Sequence, residues 1–306
     1  MTPEQPAVRT GTVGIVGRPS VGKSSLVNAM CGGHVAIVSA VPQTTRSRVR
    51  GIVHASGGQL VLLDTPGLHR SERKMNLVLR ERAVGVLDEV DVLLAVYDVS
   101  RPFGEEDRRA TDVAAAFQGP CVRALNKCDL CSDAEIAAWL ADASLPAEAQ
   151  VPTAGVSAVR GDGIDQLIDV LLAHSPEGPR LYPEDMYTDQ TPEFRVAEVI
   201  REQAFARCTQ EVPHALYVEV VDLENRSQAK AGDLLWVRAT IWVERESQVA
   251  IVVGRGGSGI GAIRQHATVA LEQVFGRDVR IELRVKVKKN WRQRDAILRR
   301  ISVPTG

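Results

Sequence analysis

No apolar run in this 306-residue sequence approaches the roughly 20 residues that a helix needs to cross a bilayer. The opening residues, MTPEQPAVRT, lack the apolar core of a secretory leader, so none is expected and the cytoplasm is the default compartment. Cysteine is sparse and scattered. Cys31, Cys121, Cys128, Cys131 and Cys208 are an odd set that suits reduced thiols rather than a disulfide framework. Cys128 and Cys131 make one C-x-x-C pair, but a zinc site needs a second pair of ligands and none follows. Net charge is nearly absent too, at −1. What remains, 44% hydrophobic and 25% charged residues, is an ordinary globular composition, and the length suits two domains better than one core.

The small net charge conceals an asymmetry. Residues 195–306 carry 19 Lys and Arg against 13 Asp and Glu, whereas residues 1–194 carry 18 against 25. A basic second half suggests that this half meets a polyanion.

Residues Gly17 to Ser24 read GRPSVGKS, which meets the spacing G-x-x-x-x-G-K-[ST] at Gly17, Gly22, Lys23 and Ser24. Such a loop turns backbone N–H groups toward phosphate oxygens, and its glycines remove the Cβ atoms that would obstruct them. The candidate cradle is Gly17, Arg18, Pro19, Ser20, Val21, Gly22, Lys23, Ser24 and Ser25. Lys23 brings a compact cation to the β- and γ-phosphates, and the Ser24 hydroxyl is a candidate ligand of Mg²⁺. Val13 to Val16 reads as a buried strand entering the loop, and Ser24 to Met30 as a helix whose N-terminus favours an anion.

The polar stretch Val41 to Arg48 lies where nucleotide switches carry a loop that orders on the γ-phosphate. Thr45 is the expected Mg²⁺ ligand there and a catalytic candidate, with Thr44 as its competitor. A hairpin is predicted from Val49–Ala55 through a Gly57-Gly58 turn to Gln59–Asp64. Its second strand delivers Asp64 to a carboxyl end, where the carboxylate reaches Mg²⁺ through a water. Asp64, Thr65, Pro66 and Gly67 form this second metal motif, and the Gly67 N–H is expected to sense the γ-phosphate. Leu68 stands where Ras-like enzymes hold a water-orienting Gln. An apolar side chain cannot orient water, so slow turnover is expected.

Two further strands, Leu93–Asp98 and Cys121–Leu125, are expected, and the second ends in Asn126-Lys127-Cys128-Asp129. One carboxylate, here Asp129, can accept from both N1–H and the 2-amino group of guanine, and adenine lacks that donor pair. This motif separates a GTP site from an ATP site. After a strand over Val151–Val156, a backbone N–H of Ser157 or Ala158 is placed to meet guanine O6.

A proline-rich run from His174 to Pro192 reads as an extended connector. A helix is predicted over Glu193–Cys208, strands over Leu216–Val221 and Leu235–Val243, a helix over Gly259–Phe275 and a strand over Val279–Val287. Between them, Gly254-Arg255-Gly256-Gly257 is a G-x-x-G loop. That order resembles the bacterial, type II form of the KH domain, in which the loop clamps four nucleotides of single-stranded RNA. Lys286, Lys288, Lys289, Arg292 and Arg294 are candidate phosphate contacts, and Trp291 is either a base-stacking ring or, the reading we favour, a core residue.

With GRPSVGKS, QTTR, DTPGLH, NKCD, PEDMYTD and VVGRGGSGI in that order, residues 12–301 resemble the Era family of bacterial GTPases. The fold class expected is an α/β phosphate-loop GTPase domain over 1–175, a linker over 176–193 and an α+β type II KH domain over 194–306. The resemblance implies Mg²⁺ and GTP or GDP as ligands and the small ribosomal subunit as partner, through the 3′ end of its RNA. It further implies a role in ribosome assembly, a monomer, and peripheral contact with the inner face of the membrane. Three positions depart from the family pattern. Ser20 stands in place of an Asn that helps hold potassium in related GTPases, Gly261 in place of a Lys, and the C-terminus lacks the usual Leu-Gly-Tyr ending. Two readings follow: a slow GTPase whose nucleotide state gates RNA binding, or an RNA-binding assembly factor in which GTP is mainly structural.

Overall fold

Strands β1 (Arg9–Val16), β2 (Val49–Ala55), β3 (Gly58–Asp64), β4 (Val92–Asp98), β5 (Cys121–Asn126) and β6 (Thr153–Val156) form one sheet in the order β2-β3-β1-β4-β5-β6. Only the β2–β3 pair is antiparallel. Every residue of β3 and β4 is buried, as strands covered on both faces must be, which explains their unbroken aliphatic runs. These observations come from a computed structural model that describes residues 8–38, 49–64, 89–141, 151–208, 212–228, 232–294 and 297. The described residues fall into two compact units: the first holds those up to Ala36 and from Val49 to Asp189, the second Ile37, Val38 and those from Gln190 onward.

Among the described residues, helices α1 (Lys23–Cys31), α2 (Glu105–Ala116), α3 (Asp133–Leu140) and α4 (Ile164–Ala173) join this sheet in the first unit. Acidic Glu105, Glu106 and Asp107 occupy the first turn of α2, where the helix dipole favours negative charge. Helix α3 starts with a capping box, in which Ser132 Oγ accepts from the Glu135 N–H and Glu135 Oε2 accepts from the Ser132 N–H. Between these helices and the sheet, Tyr97, Phe103 and Trp139 form an aromatic cluster. The connector segment is docked along strand β2. The Ile52 N–H donates to Tyr187 O at 2.9 Å, Thr188 Oγ1 donates to Arg50 O, and Arg50 pairs with Asp189 at 2.8 Å. Gln59, fully buried, donates to Tyr182 O and accepts from the N–H groups of Leu181 and Tyr182.

The second unit runs α5 (Pro192–Phe205), α6 (Val212–Ala215), β7 (Tyr217–Gln228), β8 (Gly232–Val243), α7 (Glu246–Val253), α8 (Ser258–Phe275) and β9 (Asp278–Val287). Its sheet has the order β7-β8-β9, with β7–β8 antiparallel and β8–β9 parallel. Alternation along β8 turns Leu235, Val237, Ala239, Ile241 and Val243 into a core shared with Val199, Ile200, Ile263 and Leu271 of the helices. The apolar run Val249–Val253 lies in α7, for which no element was predicted. Gln248 Oε1 accepts from the N–H groups of Glu244 and Arg245 and so satisfies donors at the helix start.

Trp291 is a core residue. Its ring is fully buried 4.8 Å from that of Tyr217, and its Nε1 donates to Ala215 O at 2.9 Å. Trp291→Ala is expected to destabilise the second unit by about 3–5 kcal/mol. Urea unfolding followed by tryptophan fluorescence checks this, since Trp236 and Trp242 lie in the same unit. Unchanged stability together with lost RNA affinity would return Trp291 to the role of a stacking platform.

Candidate functional site

The phosphate loop leaves the carboxyl end of β1, the edge at which open α/β sheets hold their ligands. Gly22 has φ 101°, and a Cβ there would collide with Asn126 Nδ2, so this position admits only glycine. Lys23 opens α1 and is buried, its Nζ donating to the carbonyls of Gly17 and Arg18 at 2.9 Å each. Burial pulls the Lys23 pKa down, opposed by the charges of Asp64 and Glu106. A desolvated ammonium of this kind gains most from a nearby anion. Ser24 Oγ donates to Asp64 Oδ2 at 2.8 Å, and the Asp64 side chain is buried. A hydroxyl and a carboxylate in contact beside a phosphate cradle give an oxygen-only donor set, which fits Mg²⁺. Among the described residues no cluster of three or more His, Cys, Asp or Glu offers an alternative metal site.

Strand β5 delivers Asn126 to the same edge. Its Nδ2 donates to Val21 O at 2.9 Å and its Oδ1 accepts from the Ala158 N–H at 3.1 Å, so one buried amide joins three loops. The Ser157 N–H donates to Asp162 O at 2.9 Å. Both candidate donors to guanine O6 therefore have protein partners, and an O6 contact from Ala158 must share or replace the Asn126 bond. Asp129 is half-buried in a 3-10 turn over Cys128–Leu130 and makes no hydrogen bond or ion pair among the described residues. Its oxygens are available for a ligand.

Two candidates are used differently from a direct ligand contact. Arg18 turns its guanidinium to Asp98 (3.2 Å) and Asp107 (3.4 Å), ion pairs too poorly aligned to be hydrogen bonds. Lys127 Nζ donates to Asp98 Oδ2 at 2.7 Å and to Ser20 O at 3.1 Å. Burial pushes the Asp98 carboxyl pKa up, but hydrogen bonds from Lys127 and Ser100 outweigh it and hold the group below the usual carboxylate value. Asp98 and Asp107 were not singled out by sequence, although an acid closing a buried strand was a signal available at Asp98. Thr44, Thr45, Thr65, Pro66, Gly67 and Leu68 lie outside the described residues.

In the second unit, α7 ends at Gly254, and Gly254, Gly256 and Gly257 all have positive φ (71°, 58° and 84°). The loop thus reaches the N-terminus of α8 with no side chain except that of Arg255, which suits close approach by a sugar-phosphate backbone. Lys286 and Lys288 lie over the ring of Trp242, 5.9 and 4.9 Å from its centroid, on the sheet face away from the helices. Lys289 is exposed, Arg294 is exposed, and Arg292 is paired with Glu244.

The family described as 50S ribosome-binding GTPase matches residues 12–127, and the KH domain family matches residues 211–292. GTPase Era of Treponema denticola is 45% identical over 296 residues, spanning 96% of this chain and all of its relative. The chain belongs to the GTPase Era family. GTPase Era of Carboxydothermus hydrogenoformans is 36% identical, over 95% of this chain and 96% of its own. Among solved structures, an Era variant from Aquifex aeolicus bound to GDP and AlF₄⁻ superposes with TM-score 0.88 at 30% identity, covering 97% of this chain and all of that one. A second, Era in complex with MgGDPNP and nucleotides 1506–1542 of 16S ribosomal RNA, gives TM-score 0.87 at 31% identity, covering 97% and 99%. Membership of the Era family makes the chain a GTPase with a KH domain, and it accounts for a cradle and a glycine loop in one polypeptide.

Proposed function

We propose that this GTPase turns over GTP slowly and uses its nucleotide state to gate binding of small-subunit ribosomal RNA near the 3′ end. The observation that supports this most is the G-x-x-G loop, held at three positive-φ glycines before α8 in the same chain as the phosphate cradle. The solved Era complex with 16S RNA nucleotides supports the choice of ligand. Water attacks the γ-phosphate of GTP and GDP leaves with phosphate as the second product. Lys23, Thr45 and Gly67 carry the developing charge on the γ-phosphate. Ser24 and Thr45 would hold Mg²⁺, with Asp64 beside them through a water, and the charge supplied there would offset that of the phosphates. Leu68 cannot position the water, which supports slow intrinsic hydrolysis and acceleration by a partner.

The nucleotide-binding domain is assigned to 1–175, the linker to 176–193 and the RNA-binding domain to 194–306, with Gly254, Arg255, Gly256, Gly257, Lys286, Lys288 and Lys289 contacting RNA. The protein is assigned as a cytoplasmic monomer, acting on the small subunit and touching the inner membrane face peripherally. No helix among the described residues is long and apolar enough to cross a membrane.

Replacing Arg255 and Gly256 together by Asp is expected to weaken single-stranded RNA binding at least tenfold, about 1.4 kcal/mol. Two carboxylates then stand where a phosphate backbone passes. Fluorescence titration with a short RNA ending in the small-subunit 3′ sequence reads the loss, and GDP titration of the same protein should not change. An unchanged RNA affinity reduces the loop to a turn. Multiple-turnover hydrolysis with and without small subunits tests the gating: a rate the subunits leave unaltered favours GTP as a structural ligand.

A further inference from the structure

Asp98 closes β4 with its side chain 1% exposed, opposite Asn126 in the β4–β5 register. Two loops meet at one of its oxygens. Oδ2 accepts from Lys127 Nζ of the guanine-reading loop at 2.7 Å and lies 3.2 Å from Arg18 Nη2 of the phosphate loop. The other oxygen is held from its own side, accepting from Ser100 Oγ at 2.5 Å and the Ser100 N–H at 3.1 Å. Other charges facing the group are Arg101, 4.0 Å away and largely exposed, and Asp107, which shares Arg18 from helix α2.

The two loops also carry strain that something must hold. Ser20 and Lys127 have φ of 58° and 67°, left-handed conformations uncommon outside glycine. They are joined by the bond from Lys127 Nζ to Ser20 O at 3.1 Å. The same ammonium therefore spans the strained residue of one loop and the carboxylate that anchors the other.

We propose that Asp98 is a positioning residue that clamps the phosphate loop to the guanine-reading loop, and so sets guanine-nucleotide affinity without touching the nucleotide. The clamp holds Lys127 over Ser20 O and the Arg18 guanidinium against Asp98 and Asp107, which ties the two loops to one carboxylate. Without the carboxylate, Lys127 keeps one carbonyl and Arg18 keeps only Asp107. The loops are then free to relax, and binding must restore their order. This rests on the guanine-reader assignment of residues 126–129. That assignment is tested separately by exchanging guanosine for xanthosine nucleotides in an Asp129 variant, so the two ideas can fail independently.

The test uses full-length protein and a fluorescent GDP. Asp98→Asn is expected to raise the dissociation constant at least tenfold, mostly through faster release, while kcat at saturating GTP stays within about threefold. Lys127→Met is expected to weaken binding as well. In that background Asp98→Asn should add less than threefold, because its main target is gone. A merely structural carboxylate gives the same factor in both backgrounds, and that additivity overturns the clamp. So does an affinity within twofold of wild type for a folded Asp98→Asn protein. Should Asp98→Asn not fold, Arg18→Met replaces it in the same cycle with the same expected non-additivity, and additive losses there overturn the proposal equally.

Discussion

Lys23→Ala lowers guanine-nucleotide affinity by roughly 10²–10⁴-fold, the equivalent of about 3–5 kcal/mol for removing one partner of a buried charge pair. The size follows from where the ammonium sits. It is buried at the N-terminus of α1, and burial already pulls its pKa down. A phosphate placed against it recovers the cost of that desolvation, so the pair is worth far more than a surface ion pair. The carbonyls of Gly17 and Arg18 that Lys23 now holds lose a donor in the variant, so the loop itself should loosen. RNA affinity of the full chain should fall to that of nucleotide-free wild type and no lower, since the G-x-x-G loop belongs to the other unit. Paired titrations with fluorescent GDP and a short RNA decide it. A nucleotide affinity within fivefold of wild type removes Lys23 from the site.

Legibility from sequence followed the range of the interactions. The candidate cradle and candidate guanine reader stand out in the sequence because each is a run of four to eight consecutive residues whose chemistry fixes its spacing, and the sheet brings Asn126 of one against Val21 of the other. Asp98 was not, because its partners Arg18 and Lys127 lie 80 positions before it and 29 after it and meet only through the order β1-β4-β5. The run from His174 to Pro192 reads as an extended connector because it is polar and rich in proline. What docks it is Gln59 and the open edge of β2, neither of which is visible locally. Helix α7 escaped for a different reason. Its β-branched run Val249-Ala250-Ile251-Val252-Val253 has the composition of a strand, and eight residues are too few to show a helical period.

The exchange Asp129→Asn moves specificity from guanosine to xanthosine nucleotides. In the guanine-reader assignment the wild-type carboxylate would accept two hydrogen bonds from guanine, one from N1–H and one from the 2-amino group. Bonds to a charged group contribute about 1.5–3 kcal/mol each, so losing the second and weakening the first costs roughly 10²–10³-fold in GDP affinity. Xanthine carries a carbonyl where guanine has its amine, and the wild-type carboxylate repels it. The Asn amide offers its oxygen to N1–H and its NH₂ to that carbonyl, so the pattern is restored with one partner reversed. Asp129 has no hydrogen bond or ion pair among the described residues, and exchanging it should leave the Asn126 and Lys127 contacts in place. Stability should therefore change little, and the effect should appear in nucleotide choice alone. Competition of GDP, xanthosine diphosphate and ADP against a fluorescent guanine nucleotide measures it for both proteins. A variant that still prefers GDP to xanthosine diphosphate by the wild-type ratio, or a wild type displaced equally well by ADP, removes Asp129 from the guanine contact.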